Sequence, residues 1–367
     1  MANPVPFFIN RIFKKEGPPI HLIWFVTDRC NLRCSHCFYS RQVSGKSEEL
    51  CFDEIRKTVD NLSPLLSVTL TGGEPFLRTD LSSIAKLVFK KTSNIVLYSN
   101  GFNTDTIVAT SERILMDSPD GTIFLGISID GFKEVHDRYR CKEGSYQRAM
   151  ETLKQLVKLK NKYHNLNLGV GITLHRGNQS TVLEIRNDIH AKFGINAGIT
   201  LIRGCPQCAE LKDIDPASYT RAVDALVNEK KKVHYTSLVQ RIIATREVLG
   251  QKLARDTYMK GSRSYDCYGG FLMAVLYANG DVYPCEMLKD SCLGNLRDFD
   301  FDINQIWKTT KARKTRELIR SRTCFCTYEC QYTCNTLYNI RFAPVFMRDI
   351  AQYAVRQWFQ SPRRHNE

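Results

Sequence analysis

The chain has 367 residues, 43% hydrophobic and 25% charged, which suits a folded protein with one large α/β domain and a smaller appendage. No apolar run approaches the ~20 residues of a membrane-spanning helix, and residues 1–19 lack the apolar core and cleavage site of a secretory signal. Fourteen cysteines without such a signal point to a reducing cytoplasm and to metal clusters rather than disulfides. The formal charge of +14 suits an anionic partner, but no RNA-recognition signature or basic stripe with interleaved aromatics accompanies it, so nucleic acid is not expected.

Residues 1–20 are a lead-in whose apolar, basic-ended stretch 7–15 can pack on the main domain or touch a membrane surface peripherally. From there β-rich runs alternate with helical periods. Strands are expected at 22–26, 68–70, 95–98, 123–129, 166–174 and 198–202, with helices near 52–62, 81–90, 105–117, 146–160 and 180–193. That alternation implies parallel strands with helical crossovers, and six units are too few for an eight-fold barrel.

The ends of these strands carry the chemistry-bearing residues. The first leads into Cys30, Cys34 and Cys37, three thiolates on one loop that can hold three corners of an iron–sulfur cube and leave one iron open. His36, lying between two of them, can hardly join all three in one zinc tetrahedron. The second strand ends in Gly72-Gly73-Glu74-Pro75, where glycines admit a ligand to the backbone and Glu74 can accept from a cationic amine. The third ends in Ser99-Asn100-Gly101. On the fourth, pleat alternation puts Ser128 and Asp130 on one face, suited to ribose hydroxyls, with Arg138 and Arg140 downstream. Cys205 and Cys208 can form a redox pair or half a metal site, though incidental thiols are the default, as for Cys51 and Cys141.

Residues 216–249 form one or two amphipathic helices, with Ala222, Leu226 and Val227 on the buried face. Beyond 261 the composition changes. Cys267 and Cys285 bracket a hairpin with Asn279-Gly280 at its turn, and Cys324, Cys326, Cys330 and Cys334 follow a helix at 303–308. These six form a ligand pool with Cys292 in reserve, and zinc is the alternative occupant. Glu286, directly after Cys285, reads as a solvated surface residue. Residues 342–359 form a basic amphipathic helix that can dock on its own chain, on a partner or on a membrane surface.

The CxxxCxxC loop with His36 at its aromatic position, the GGEP turn, the S-N-G turn and the string from Ser128 to Arg140 together resemble the radical S-adenosylmethionine (radical SAM) superfamily. The C-x12-G-x4-C opening at Cys267, with a later G-N-L and I-W, resembles a SPASM or twitch domain. The resemblance covers roughly residues 20–340. It implies an α/β fold, a partial (β/α)6 TIM-like barrel over 21–204, bridging helices over 205–260, a cysteine-rich auxiliary domain over 261–340 and a tail helix over 341–367. It further implies a 4Fe–4S cluster on Cys30, Cys34 and Cys37 that binds S-adenosylmethionine. Gly72, Gly73 and Glu74 would hold its amino group beside Ser99 and Asn100, and Arg140 its carboxylate. Ser128 and Asp130 would take the ribose and Leu174 the adenine, with His36 also on the cofactor. The C-x-C-x3-C-x3-C ending, with no cysteine after Cys334, departs from a full SPASM domain and suits one auxiliary 4Fe–4S cluster.

In such an enzyme a 5′-deoxyadenosyl radical takes a hydrogen atom from the substrate, while the auxiliary cluster anchors the substrate or accepts an electron and Glu286 acts as base. A ribosomal peptide or natural-product precursor is the expected substrate, a small carbohydrate or lipid-linked metabolite the alternative, and flavodoxin or ferredoxin the electron donor. The reading from another class is a zinc-binding protein that docks nucleic acid or a partner.

Overall fold

Side chains alternate along six parallel strands, and that alternation separates a greasy outer face from a functional inner one. The structure, a computed structural model, describes residues 17–40, 48–233 and 235–360, so the stretch 7–15 lies outside the described residues. The strands are β1 (His21–Thr27), β2 (Ser67–Gly72), β3 (Asn94–Ser99), β4 (Thr122–Ser128), β5 (Leu166–Leu174) and β6 (Ala197–Leu201), each parallel to the next. The helices between them are α1 (Phe52–Asn61), α2 (Leu81–Val88), α3 (Thr104–Asp117), α4 (Lys133–Arg140), α5 (Ser145–Lys162) and α6 (Val182–Phe193). Trp24, Leu70, Leu97, Leu125 and Ile172 point outward into one core with Ile55, Ile84, Ile107, Leu153 and Ile185 of these helices. The opposite parity, including Phe25, Thr71, Tyr98, Phe124, Ser128 and Thr173, lines an interior cavity. Hydrophobic period does not reveal α4, because its buried residues are His136 and Arg140.

The barrel does not close, and its two edges are finished differently. On the β6 side the outward carbonyls are capped by side chains: Arg186 Nε donates to Ala197 O at 3.1 Å and Gln251 Nε2 to Ile199 O at 3.2 Å. Gln251 comes from α8 (Leu238–Lys260), which follows α7 (Pro216–Lys232). The bridge is therefore two helices. Asp215 caps the N–H groups of Ala217 and Ser218, and Gly261, left-handed at φ 60°, ends α8.

On the other side β7 (Met273–Leu276) pairs parallel with β1, and β8 (Asp281–Tyr283) and β9 (Gly294–Asn295) extend the sheet antiparallel to nine strands. Asn279-Gly280 lies in the turn, as expected, within a four-residue connection closed by Gly280 N–H donating to Tyr277 O at 2.9 Å. Ile23 and Phe25 of β1 share a second core with Tyr268, Phe271 and Val275, so barrel and cysteine-rich region are packed together. Four helices complete the described chain: α9 (Ile303–Lys308), α10 (Thr310–Arg320), α11 (Glu329–Leu337) and α12 (Ala343–Gln360). Of the three docking options for the tail helix, the structure shows its own chain: Asp349 bonds Arg241 at 3.2 Å and Thr245 at 2.9 Å on α8. Among the described residues no helix is long and apolar enough to cross a membrane.

Candidate active site

Strand ends and auxiliary loops enclose a cavity of about 630 Å³, within the ordinary range for a small-molecule site. Cys30, Cys34 and Cys37 stand in its wall. The loop that carries them is held from two sides. Ser35 N–H donates to Tyr139 O of α4 at 2.9 Å, while Gly73 N–H and Glu74 N–H donate to Thr27 O and Arg29 O at 2.9 and 2.8 Å. Here the glycines have a task that the sequence does not announce. A Cβ on Gly72 (φ +151°) would lie 2.2 Å from Thr27 O, and one on Gly73 2.2 Å from Arg29 O. The close approach they permit is first that of the cysteine loop's own backbone.

Donors point at the thiols as they do around iron–sulfur sites. Leu32 N–H lies 3.5 Å from Cys30 Sγ, Asn100 Nδ2 3.9 Å from the same sulfur, and Arg140 Nη1 3.9 Å from Cys34 Sγ. Burial pushes the Cys34 thiol up to about 12, so a bound metal is what would hold it as thiolate. Among the described residues no three His, Cys, Asp or Glu stand close enough for a single metal ion. Three thiols from one loop fit three corners of an iron–sulfur cube.

Glu74 is 2% exposed and gathers the neighbouring turn: Ser99 Oγ donates to it at 2.9 Å, Asn100 N–H at 2.8 Å and Phe76 N–H at 3.3 Å. Burial raises its carboxyl to about 7 against the opposing pull of those hydrogen bonds. Asn100 also bridges to Asn31 Oδ1 at 2.8 Å, tying the third strand's turn to the cysteine loop.

Ser128 faces the cavity, but Asp130, fully buried, is taken up elsewhere. Its Oδ1 accepts from Thr173 N–H at 2.8 Å. Its Oδ2 accepts from Arg140 Nε at 2.7 Å, pairs with Arg140 Nη2 at 2.7 Å and meets His36 Nε2 at 3.3 Å. Burial works against its charge, yet Arg140 and the surrounding histidines hold the carboxyl well below the usual range. The carboxylate expected to take ribose hydroxyls thus aims Arg140, which does line the cavity. His36, at the aromatic position, lines the cavity and stacks on His175 with ring centroids 5.3 Å apart. Leu174 is fully buried in the outer core and does not line the cavity, whereas Thr173 of opposite parity does.

The auxiliary loops bring Cys267 within electrostatic reach of Cys324 and Cys285, and Cys285 within reach of Cys326. Gly269 N–H donates to Cys267 Sγ at 3.4 Å, and the N–H groups of Met287 and Leu288 point at Cys285. Cys334 is fully buried on α11, Cys292 turns toward Gly294 O at 3.7 Å, and the side chain of Cys330 lies outside the described residues. Glu286 is no solvated surface residue. It is 3% exposed in the cavity wall, bonded by Arg203 Nη2 at 3.3 Å and by Tyr328, and burial raises its carboxyl against both. Sequence reasoning missed Arg203, although it follows β6. Its guanidinium lies between the rings of Phe38 and Tyr328, 4.6 and 4.3 Å from their centroids.

The comparisons with known proteins agree with this geometry. The model of the radical SAM superfamily matches residues 24–184, and that of an iron–sulfur cluster-binding domain, SPASM, matches 267–335. Pre-heme d1 synthase of Dinoroseobacter shibae is 25% identical, covering 84% of this chain and 76% of its own length. The antilisterial bacteriocin subtilosin biosynthesis protein AlbA of Bacillus subtilis is 23% identical, covering 84% of this chain and 66% of its own length. The solved structure of native anSMEcpe with bound AdoMet and Cp18Cys peptide superposes with a TM-score of 0.57, covering 93% of this chain and 98% of that one at 17% identity.

The chain belongs to the radical SAM superfamily, in its SPASM branch. It is an enzyme that uses S-adenosylmethionine and a 4Fe–4S cluster, with auxiliary iron–sulfur binding in the SPASM domain. Family membership overturns the zinc-docking alternative.

Proposed function

We propose that this enzyme removes hydrogen from a ribosomally made peptide, with S-adenosylmethionine and substrate sharing the cavity between the cysteine loop and Glu286. Cys30, Cys34 and Cys37 hold the N-terminal cluster, and Cys267, Cys285, Cys324 and Cys326 an auxiliary one. Gly72, Gly73 and Glu74 receive the cofactor's amino group within the turn that Ser99 and Asn100 brace. Arg140, aimed by Asp130, takes its carboxylate, and Ser128 its ribose, beside His36. Bound there, the cluster and cofactor supply the radical that abstracts a hydrogen atom. Glu286, hydrogen-bonded by Arg203 and Tyr328, is placed to take the proton, and an auxiliary cluster on those cysteines would supply the electron acceptor, so that the substrate would lose two hydrogens in all. A flavodoxin- or ferredoxin-type donor supplies the initiating electron.

The observation that carries the peptide reading is the charge balance of the wall. Arg140, Arg186, Arg203 and Lys230 line the cavity, and each is paired with an acid, at 2.7, 2.5, 3.3 and 2.6 Å. Arg140 keeps Nη1 outside its pair with Asp130 for the cofactor's carboxylate, but the several carboxylates of a haem precursor would ask for further unpaired cations, whereas a peptide side chain and backbone need none. The peptide bound to anSMEcpe and the bacteriocin role in the name of AlbA point the same way; pre-heme d1 synthase supports the other reading.

The test is to incubate the anaerobically reconstituted enzyme, S-adenosylmethionine and dithionite with a small-peptide fraction of its own cells, and separately with coproporphyrin III. Peptide-stimulated release of 5′-deoxyadenosine, with one peptide losing the mass of two hydrogens, is expected. Stimulation and turnover with the tetrapyrrole alone would overturn the peptide reading. A carbohydrate or lipid-linked substrate would leave both incubations at the unstimulated rate, also against it.

A further inference from the structure

The cations of the cavity wall are paired, but those of one surface helix are not. The stretch from Lys308 to Arg322, which includes α10, carries seven cations and one acid, Glu317, and so supplies +6 of the chain's +14. Lys308, Lys311, Arg313, Lys314 and Arg320 are exposed, and none of the five forms an ion pair among the described residues. Arg313 directs its guanidinium at Lys308 O, at 3.3 and 3.1 Å, and Arg320 lies over the ring of Phe271, 4.9 Å from its centroid. Arg322 is paired with Asp266 at 2.9 Å.

Helical period sorts this surface. At 3.6 residues per turn Lys311, Arg313, Lys314 and Arg320 fall on one side of α10 with Leu318, which is 45% exposed. Ala312 and Ile319 fall on the other side and are buried. No residue of the stretch lines the cavity, so its charge does not serve the reacting group of the substrate.

The buried side gives the charge its place. Ile319 belongs to the second core, against which Cys267, Cys324 and Cys326 pack. Arg263 donates to both Ile319 O and Cys324 O, the latter at 2.8 Å. Ser321 and Thr323 fold back onto Leu318 O at 2.8 and 3.4 Å, turning the chain from α10 into Cys324. Phe325, between two of the cysteines, is 53% exposed. The basic face and the core that carries the auxiliary cysteines thus lie on opposite sides of one helix.

Unpaired cations around exposed apolar side chains suit an acidic protein surface, where charge steers the encounter and apolar contact holds it. A membrane or a nucleic acid would also meet the charge, but neither gives a reason for its position beside the auxiliary cysteines. An electron carrier does.

We propose that the exposed face of α10, with Leu318 and Phe325, docks a small acidic one-electron carrier protein, of flavin or iron–sulfur type, at the auxiliary site. Docked there, the carrier would gain the electron that an auxiliary cluster loses, with no bond formed or broken. The inference rests on the auxiliary cluster assigned above, and it does not need the substrate to be a peptide.

The test measures binding of purified oxidised flavodoxin, an acidic carrier, to the reconstituted full chain by anaerobic titration calorimetry. Saturable binding is expected, weakening at least tenfold as NaCl rises from about 50 to about 300 mM. Lys311→Glu/Lys314→Glu should weaken it at least tenfold at low salt. Lys158→Glu/Lys160→Glu, the same change of charge at exposed positions of α5, should weaken it less than about threefold. Lys311→Ala/Lys314→Ala covers the case in which the acidic pair disturbs α10, and should show a smaller loss. All three variants should keep about eight irons and the parent rate of dithionite-driven 5′-deoxyadenosine release, because dithionite needs no docking surface. No saturable binding, equal losses from the α10 and α5 reversals, or tighter binding of phosphatidylglycerol vesicles or duplex DNA than of flavodoxin would overturn the proposal. Iron near four per chain would refute the auxiliary cluster, and the proposal with it, by a separate readout.

Discussion

At Asp130 the N–H of Thr173, the guanidinium of Arg140 and the imidazole of His36 converge on a carboxylate with no exposed surface. Removing its charge leaves the Arg140 guanidinium buried and unpaired, which costs about 3–5 kcal/mol in comparable pairs. Asp130→Asn is therefore expected to lower stability by about that amount in denaturant unfolding, and Asp130→Asn/Arg140→Met to recover part of it. At Glu74 the sign of a pH effect follows from burial, which raises the carboxyl to about 7. Below that pH the group is protonated, and a docking cationic amine must displace the proton. S-adenosylmethionine affinity is expected to rise with pH up to about 7, by as much as about tenfold per unit, and then level off. Dialysis across that range should show this slope, and Glu74→Gln should flatten it.

Whole elements decide which residues reach the cavity. On β5, Leu174 shares parity with Ile172 and both are buried outside the barrel, whereas Thr173 faces in. Leu174→Ala should cost about 2–5 kcal/mol of stability, and Thr173→Ala nearer about 0.5 kcal/mol, by thermal or urea unfolding. The turn after β2 is equally specific. With a Cβ of residue 72 held 2.2 Å from Thr27 O, Gly72→Ala should keep the cysteine loop from closing. Iron analysis after reconstitution should then fall by about four atoms per chain, with the auxiliary cluster retained.

Across the whole molecule, the cysteine-rich region completes the barrel's sheet through β7 beside β1 and covers Ile23 and Phe25. A chain ended after residue 260 would expose both the edge of β1 and that apolar face, and it is expected to aggregate in light scattering. The intact protein should take up about eight irons, four on the cysteine loop and four on the auxiliary cysteines. Arg203 makes the same point with one side chain: it rests on Phe38, beside Cys37, and bonds Glu286, beside Cys285.

Local signals carried much of this in the sequence. The six strands and most helices show in hydrophobic period, because burying one face of each element imposes that period on the chain. Cys30, Cys34, Cys37, Gly72, Gly73 and Glu74 show as motifs, because a loop and a tight turn are set by residues near in sequence. Helix α4 did not show, since its burial is polar. The work of Asp130 on Arg140, the place of Arg203 and the parity of Leu174 join residues on separate strands and loops. The sequence by itself determined the six strands, most helices, the cysteine loop and the chemistry class. Only the tertiary structure decided which carboxylate faces the cavity, which aims an arginine and where space is left, because contacts between distant segments leave no local pattern in the chain.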